Sequence, residues 1–259
     1  MKSPIAILRL LLAFALLGCA QAAPERTCRI VFPDRPQEAP KSLQLFDGKK
    51  CREVELPSMN LSPVYGLASG AIQLKLLGAE VEDPKDVPAD APSVEVPADC
   101  ADLILLVSGD PDNKTAPVKL ELVDLGSENF KVGQTLWANH SDKTIEAKLG
   151  EQTLSLEPGG SEILDAPASD KGVPTSGYYN ATFTYQAQPD AAFEPITEQQ
   201  WWHDANSRHL GFIVNTGGKL PKIHFYRDFR DPCAVRIKGR HEEFFPSTSC
   251  SGSGEYGCR

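Results

Sequence analysis

The alternation of apolar and polar residues along short segments constrains the fold of this chain more than any other feature. The segment "YYNATFTYQ" (178–186) shows it best, because Tyr179, Ala181, Phe183 and Tyr185 alternate with polar residues. Neighbouring side chains on a β-strand point to opposite faces of the sheet, so this pattern predicts a strand with one buried face. No segment beyond the N-terminal leader keeps the apolar period of an amphipathic helix together with capping residues. The chain is therefore predicted to be all-β.

Further apolar segments, separated by turn signals, extend this prediction along the chain. In "QTLSLEPGGSEIL" two short strands meet at Pro158 and Gly159, which favour a tight turn. The segment "HLGFIVNTGGKLPKIHFYRDF" predicts a hairpin that turns at 215–218. The other predicted strands are "CRIVF", "LQLF", "CREVEL", "AIQLKLL", "DLILLVS", "VKLELVDL", "QTLWAN" and "IEAKLG". Many short strands at this spacing indicate an antiparallel β-sandwich.

Composition divides the chain after its leader into three parts. A first β domain is predicted over 24–130, a second β-sandwich domain over 131–232, and a Gly-, Ser- and Cys-rich irregular tail over 233–259. The first domain contains a Pro-rich, acidic stretch at 79–100. Proline lacks the N–H that a central strand needs, so this stretch is predicted to be an extended surface loop, with a linker or docking strand as the alternative.

The N-terminus has the features of an export signal. Lys2 and Arg9 precede and flank a short apolar run at 10–17, which is too short to span a bilayer. Ala20–Ala22 fits ordinary signal-peptidase cleavage, which would remove residues 1–22, whereas Leu16–Cys19 resembles a lipobox that would leave a lipidated Cys19. The protein is therefore expected in the periplasm, at the outer membrane through a lipid tether, or outside the cell.

Cysteine content agrees with an exported chain. The sequence has seven cysteines, and an even set remains once Cys19 is assigned to the leader. An even number of cysteines in an exported protein favours disulfide bonds. The spacing favours a Cys250–Cys258 bridge, and a bridge between the two halves, such as Cys28 or Cys100 with Cys233, is the alternative. The disulfide candidates are Cys28, Cys51, Cys100, Cys233, Cys250 and Cys258.

The charge balance limits the classes of partner. The formal net charge is −9, which disfavours nucleic acid and anionic lipid, since basic surfaces bind these polyanions. No phosphate-binding glycine loop and no calcium-loop spacing occurs in the sequence, so no cofactor is predicted. The remaining partners are a protein or a glycan of the cell envelope.

The segment "TEQQWWHDANSRHLGFIVNTGG" (197–218) holds the densest set of chemically capable side chains. His203, Asp204 and His209 could in principle ligate a metal or serve a hydrolase, but their spacing matches no established metal motif. The plainer interpretation is a β-hairpin in which Asp204 and Asn206 stabilise the turn and Arg208 pairs with Asp204 or another acid. A short helical turn at "TEQQ" is an alternative, because Thr and Gln there have the form of a capping box.

The two adjacent tryptophans suggest a contact surface. Neighbouring residues on a strand point to opposite faces, so either Trp201 or Trp202 is expected in the core and the other on the surface. Aromatic residues and arginine are enriched in binding hot spots, and "KIHFYRDFRDP" places more of them nearby. The candidate binding residues are Trp201, Trp202, His203, Arg208 and Tyr226. The segment most similar to the G-x-S-x-G motif of a catalytic serine is "SGSGEYG", which lies between two cysteines in the tail. No catalytic residue is predicted.

The motifs "GQTLWANHSDKTIEAKLG", "WWHDANSRHLGFIVNTGGKLP" and "RDFRDP" resemble those of a family of exported bacterial all-β proteins with no assigned function. The resemblance covers the second half of the chain well and the first half loosely. It implies a signal peptide and Ig-like sandwich modules, and it carries over no catalytic residue. The leading hypothesis is a non-enzymatic envelope protein with a binding or scaffold role. The alternatives are a metal-dependent or other hydrolase centred on His203, Asp204 and His209, and a self-associating structural component.

Overall fold

The computed structural model describes residues 26–126, 130–167, 175–215, 218 and 220–229. Its elements in this part of the chain are β-strands and one short 3-10 helix, η1 (Pro84–Asp86). The strands of the first half are β1 (Arg26–Val31), β2 (Ser42–Phe46), β3 (Cys51–Glu55), β4 (Tyr65–Leu67), β5 (Ile72–Leu77), β6 (Ser93–Val96), β7 (Asp102–Gly109) and β8 (Val118–Asp124). The strands of the second half are β9 (Thr135–His140), β10 (Thr144–Leu149), β11 (Gln152–Leu156), β12 (Ser161–Leu164), β13 (Gly177–Gln186), β14 (Glu194–His203), β15 (Arg208–Val214) and β16 (Lys222–Asp228). The all-β prediction is confirmed.

These strands form four sheets of four strands each. Sheet A has the order β4-β1-β7-β8 and sheet B the order β3-β2-β5-β6, whereas sheet C is β12-β9-β15-β16 and sheet D is β11-β10-β13-β14. When β9 to β16 are renumbered from one to eight, sheet C has the same strand order as sheet A, and sheet D has the same order as sheet B. Even the parallel pair recurs, as β1 with β7 and as β9 with β15. The chain thus contains two sandwiches of identical topology, named here the first sandwich (26–124) and the second sandwich (135–228).

Three apolar layers hold the four sheets in the order B, A, C, D. One buried cluster fills the first sandwich between sheets A and B, and another fills the second sandwich between C and D. A third cluster, called here the junction, joins sheet A to sheet C through Ile104 and Leu106 on one side and Leu210 and Phe212 on the other. The described residues up to Asp228 form one compact unit. The division into two domains near residue 130 stays a prediction.

Burial on both faces explains the unbroken apolar runs in sheets A and C. Strand β7 has buried residues at Leu103, Ile104, Leu105, Leu106 and Val107 in succession. Its odd-numbered residues face sheet B and its even-numbered ones face sheet C. Strands β9 and β15 show the same continuous burial. In contrast, strand β13 in sheet D alternates, because its outer face meets solvent.

A buried ion-pair network closes one end of the junction. Arg208, the first residue of β15, lies 2.9 Å from Asp102, the first residue of β7, and its Nε donates a 3.0 Å hydrogen bond to Asp228. Arg29 of the first sandwich also pairs with Asp228, at 2.8 Å. The Arg208 guanidinium lies over the Phe130 ring. Buried charges are tolerated only when they are paired, so this network fixes how the sandwiches meet.

Two details of the predicted organisation are corrected. The stretch 79–100 is not an extended loop throughout, because it contains η1 and the edge strand β6, which pairs with β5. Pro92 and Pro97 flank β6, where no ladder hydrogen bond is lost. Strands β14 and β15 do not form a hairpin either: β14 belongs to sheet D and β15 to sheet C, and the short connection crosses the sandwich. The helical turn considered at 197–200 is strand in the structure.

The cysteine predictions have a mixed outcome. Cys28, Cys51 and Cys100 are free thiols, so no bridge joins these three to one another. Burial raises the pKa of Cys100 to about 12 and raises that of Cys28 further, which keeps both as inert thiols. Cys233, Cys250 and Cys258 lie outside the described residues, so bridges that involve them stay predictions. The leader with Cys19 and the tail 233–259 also lie outside. Within the described part, no helix has the length and apolar character needed to cross a membrane.

Candidate functional site

The register between β13 and β14 decides which tryptophan is exposed. Tyr179 pairs with Trp201 and Tyr178 pairs with Trp202, and partners in a ladder point to the same face. The inner face takes Tyr179 and Trp201 into the aromatic core between sheets C and D. The outer face carries Tyr178 and Trp202, whose exposed fractions are 69% and 45%. The expectation of one core and one surface tryptophan therefore fits the structure, with Trp202 on the surface.

Trp201 belongs to a cluster of rings inside the second sandwich. Its ring stacks on Trp137 at 5.8 Å and lies 5.3 Å from both Phe183 and Phe225. Trp137 itself is fully buried and lies directly over Gly211, where the ring occupies the space of a side chain. A partly buried ring with these contacts stabilises the core of the second sandwich.

The outer face of sheet D around Trp202 combines aromatic and neutral polar side chains. The Tyr178 and Trp202 rings lie 5.0 Å apart at 70°, in an edge-to-face arrangement. The next pair along the ladder is Asn180 and Gln200, whose amides form a 3.3 Å hydrogen bond, and Thr182 follows with Glu198 opposite. We call Tyr178, Asn180, Gln200 and Trp202 the aromatic patch. It has exposed apolar surface and amide donors and acceptors side by side.

Two buried histidines face each other at one end of the second sandwich. His203 ends β14 in sheet D and His209 lies in β15 of sheet C, and their rings are 4.6 Å apart. Both are fully buried, and none of their ring nitrogens makes a hydrogen bond with good geometry. Burial lowers the pKa of both imidazoles, that of His209 to about 4, and the neighbouring Gly133 backbone and Asp204 only partly oppose this for His203.

Asp204 has a structural role in the connection between the two sheets. Its carboxylate accepts hydrogen bonds from the Asn206 N–H and the Ser207 hydroxyl, each at 3.0 Å. These bonds keep the pKa of Asp204 below its usual value. Asp204 is thus engaged by its own turn, as predicted. In the described part of the chain, no three His, Cys, Asp or Glu side chains are grouped to hold a metal ion.

The other predicted contact residues lie inside the molecule. Arg208 is part of the junction network, where it pairs with Asp102 and Asp228 rather than with Asp204. Tyr226 is buried in the junction, and its hydroxyl donates to the carbonyl of Ser58 at 3.0 Å. Of the five candidate binding residues, only Trp202 has a large exposed fraction.

The sequence did not single out Tyr178, Asn180 or Gln200. The alternation in "YYNATFTYQ" correctly places residues 179, 181, 183 and 185 inward, and the outward position of Tyr178 follows from it. The pairing of Tyr178 with Trp202 depends on the register with β14, which no local pattern fixes. No protein-family model matches the chain, and the search of curated proteins finds no significant match.

Proposed function

We propose that this protein is a non-enzymatic binding protein of the cell envelope, and that it binds a neutral glycan through the aromatic patch. The exposed Tyr178–Trp202 ring pair on an otherwise polar sheet face is the observation that carries the proposal. Large exposed rings on a soluble surface are costly to hydrate and are enriched where proteins bind partners. The predicted export signal supports this proposal, because an exported protein would meet the glycans of the envelope.

The chemistry around the two rings favours a sugar over a charged polymer. Aromatic faces pack against the C–H faces of sugar rings, and the Asn180 and Gln200 amides supply both donors and acceptors for hydroxyl groups. These two side chains are neutral, and the chain as a whole is acidic. A polyanionic partner would meet no basic surface at this patch.

The hydrolase hypothesis finds less support at its predicted centre. His203 and His209 are buried, and Asp204 is bonded within its own turn. A general base must reach the proton that it abstracts, and these imidazoles face each other rather than solvent. Self-association through the aromatic patch stays an alternative, and the experiment below separates it from glycan binding.

The test uses the full chain and a double variant, Tyr178→Ala/Trp202→Ala. Retention is measured on immobilised β-glucan and chitin oligosaccharides, which are neutral. Wild type is expected to be retained by at least one of these, and the double variant to lose at least tenfold in affinity. The matched control is Phe193→Ala, which removes an exposed ring just before the start of β14, roughly 30 Å from Trp202 along the strand.

Near-ultraviolet circular dichroism verifies that each variant is folded. Equal retention of wild type and the double variant, or no retention of wild type on any of these glycans, contradicts the proposal. Sedimentation at several protein concentrations gives the remaining comparison. Self-association that disappears in the double variant would instead favour the structural alternative.

A further inference from the structure

The outer face of sheet D has an open depression beyond the aromatic patch. Its volume is about 590 Å³, which lies within the range of small-molecule sites. Around it stand six outward-facing side chains of β10, β11 and β13, namely Glu146, Lys148, Thr153, Ser155, Thr182 and Thr184. They form two rows across the three strands, because Lys148 pairs with both Thr153 and Thr182. Glu146 pairs in the same way with Ser155 and Thr184. We call these six side chains and the space between them the hydroxyl groove.

The hydroxyl groove and the aromatic patch lie on one continuous surface. Strand β13 runs through both, with Tyr178 and Asn180 in the patch and Thr182 in the groove. Thr182 is the next outward-facing residue after Asn180, so the two areas adjoin on this face. Thr153 lies four residues along the strands and three strand spacings across the sheet from Trp202, which is a diagonal of roughly 20 Å. A ligand that contacts both areas must therefore be elongated.

The polar groups of the groove are accessible to a ligand. Glu146, Lys148, Thr153 and Ser155 are exposed, and Thr182 is half-buried. Within the described part of the chain, no hydrogen bond or ion pair engages the hydroxyls of Thr153, Ser155 and Thr182 or the ammonium of Lys148. A hydroxyl can both donate and accept a hydrogen bond, and an ammonium donates. These groups therefore complement the hydroxyls of sugar rings, which also donate and accept.

The charges around the groove disfavour a charged sugar chain. Lys148 lies on the central strand of the groove, and Glu146 is two residues away on the same face. Glu198 lies opposite Thr182 on β14, and Glu162 of β12 also lines the groove. These carboxylates would repel an anionic chain, and Lys148 would repel a cationic one. The groove thus fits a neutral chain, as do the uncharged amides of the aromatic patch.

We propose that the ligand is a linear, neutral glycan that lies diagonally across sheet D, from the aromatic patch into the hydroxyl groove. Tyr178 and Trp202 pack against sugar rings at one end, and Lys148, Thr153 and Thr182 form hydrogen bonds with hydroxyls at the other. The diagonal of roughly 20 Å is too long for a disaccharide and corresponds to about four linked sugar rings. This inference rests on the proposed function and adds the length of the glycan and the residues that select for it.

The test measures the affinity of the full chain for soluble oligosaccharides of increasing length by isothermal titration calorimetry. The probes are the β-glucan and chitin series, each from the disaccharide to the hexasaccharide. In at least one series, wild-type affinity is expected to rise at least tenfold from the disaccharide to the pentasaccharide and then to level off. Equal affinity for all lengths would overturn the role of the groove and leave the aromatic patch as the whole site. No binding at any length would overturn the proposed function as well.

The variant Thr153→Val/Thr182→Val tests the groove residues with little disturbance of the sheet, because valine is also favoured in strands. Its affinity for the hexasaccharide is expected to fall at least fivefold, since two hydrogen bonds are lost, while its affinity for the disaccharide stays that of wild type. The matched control, Gln73→Val, places the same side chain on the outer face of sheet B and should bind every length like wild type. Wild-type affinity for the hexasaccharide in the folded double variant would contradict the assignment of the groove. Near-ultraviolet circular dichroism verifies the fold.

Discussion

The first sandwich is filled with aliphatic side chains, whereas the second is built around aromatic rings. Leucine, isoleucine and valine dominate the layer between sheets A and B. Trp137, Phe183 and Tyr179 lie in the layer between sheets C and D, with Trp201 and Phe225 packed against them. Both layers are enclosed by the same strand order. Strand topology is thus compatible with very different interiors, provided that each interior is tightly packed.

The wide rings of the second sandwich need a compensating small residue. Gly211 lies beside Trp137 in the parallel ladder of β9 and β15. In the first sandwich, the corresponding run of β7 from Leu103 to Val107 contains no glycine, since its partner strand β1 presents no large ring there. The absence of a side chain at Gly211 therefore provides the space that the Trp137 indole occupies.

The outer faces of the two sandwiches differ as well. Sheet B presents Gln44, Glu53, Gln73 and Glu95 outward, and part of it is covered where Phe46 packs against the 79–100 stretch. Sheet D presents Tyr178 and Trp202 uncovered. This difference is why the proposed glycan surface is assigned to the second sandwich, with the first as its scaffold.

The strongest challenge to this comparison is the substitution Gly211→Ala. A Cβ there would lie 2.1 Å from the Trp137 ring, and that ring is confined by its neighbours. We expect a loss of about 3 kcal/mol or more in the free energy of unfolding, since overpacking at a fixed ring forces the backbone to move. Urea unfolding measures this loss. Gly109→Ala in β7 is the control and should change stability by less than about 0.5 kcal/mol, because a Cβ there meets nothing within 4 Å. Similar values for both variants would refute the tight fit at Trp137.

The junction is tested by Arg208→Met, which keeps the length of the side chain and removes its charge. Asp102 loses this partner, and the fully buried Asp228 loses its contact with Arg208 and keeps that with Arg29. We expect a destabilisation of about 2–3 kcal/mol, because breaking a buried pair leaves a charge poorly compensated. The control, Lys143→Met, removes a more exposed pair with Asp142 and should destabilise the protein much less, because solvent screens such a pair.

The unfolding curve of Arg208→Met also reports on cooperativity. If the junction couples the unfolding of the two sandwiches, weakening it should broaden the single unfolding transition or split it into two. An unchanged midpoint for Arg208→Met would mean that the ion pairs do not fix the junction.

A smaller effect is expected from the buried histidines, which have no counterpart in the first sandwich. An unfolded histidine has a pKa of about 6.5, whereas burial and the neighbouring His203 and Arg227 lower the pKa of folded His209 to about 4. Between these values the unfolded chain binds protons that the folded chain does not. Stability is therefore complete above pH 6.5 and falls as the pH drops towards 4, by an amount on the order of 1–3 kcal/mol.

The variant His203→Leu/His209→Leu isolates this contribution. Its stability should vary less between pH 6.5 and 4 than that of wild type, as measured by urea unfolding at each pH. Glu121, whose pKa the hydrogen bond from His140 lowers to about 2, loses its contribution mainly below the measured range, and it is present in both proteins. Parallel stability curves for the two proteins would rule out the pair as the origin of the pH dependence.

The strands were predictable because their signal is local. Residue alternation and Pro158–Gly159 correctly placed most strands and one turn, with Gly159 at a φ of 78°. Strand β6 was missed because the prolines around it hid a four-residue edge strand. The two parallel pairs also escaped, since a purely local pattern carries no information on which distant strands become neighbours.

The sites were less predictable because they depend on distant contacts. A four-residue connection after His203 fits a hairpin as well as a crossing between sheets, and only the crossing brings His203 against His209. Glu121 and His140 lie on different sandwiches and meet only through the junction. Arg208 was a candidate binding residue because arginine is enriched in binding hot spots, yet contacts with distant residues place it in a buried ion-pair network.

The most direct test of the central claim, that the ligand surface belongs to the outer face of sheet D, uses the three tryptophans of the chain. Their indole N–H signals are followed by NMR while the glycan that retains wild-type protein is added to saturation. The account predicts a large shift for Trp202 and little change for the buried Trp137. A saturated complex in which the Trp202 signal does not move would contradict it.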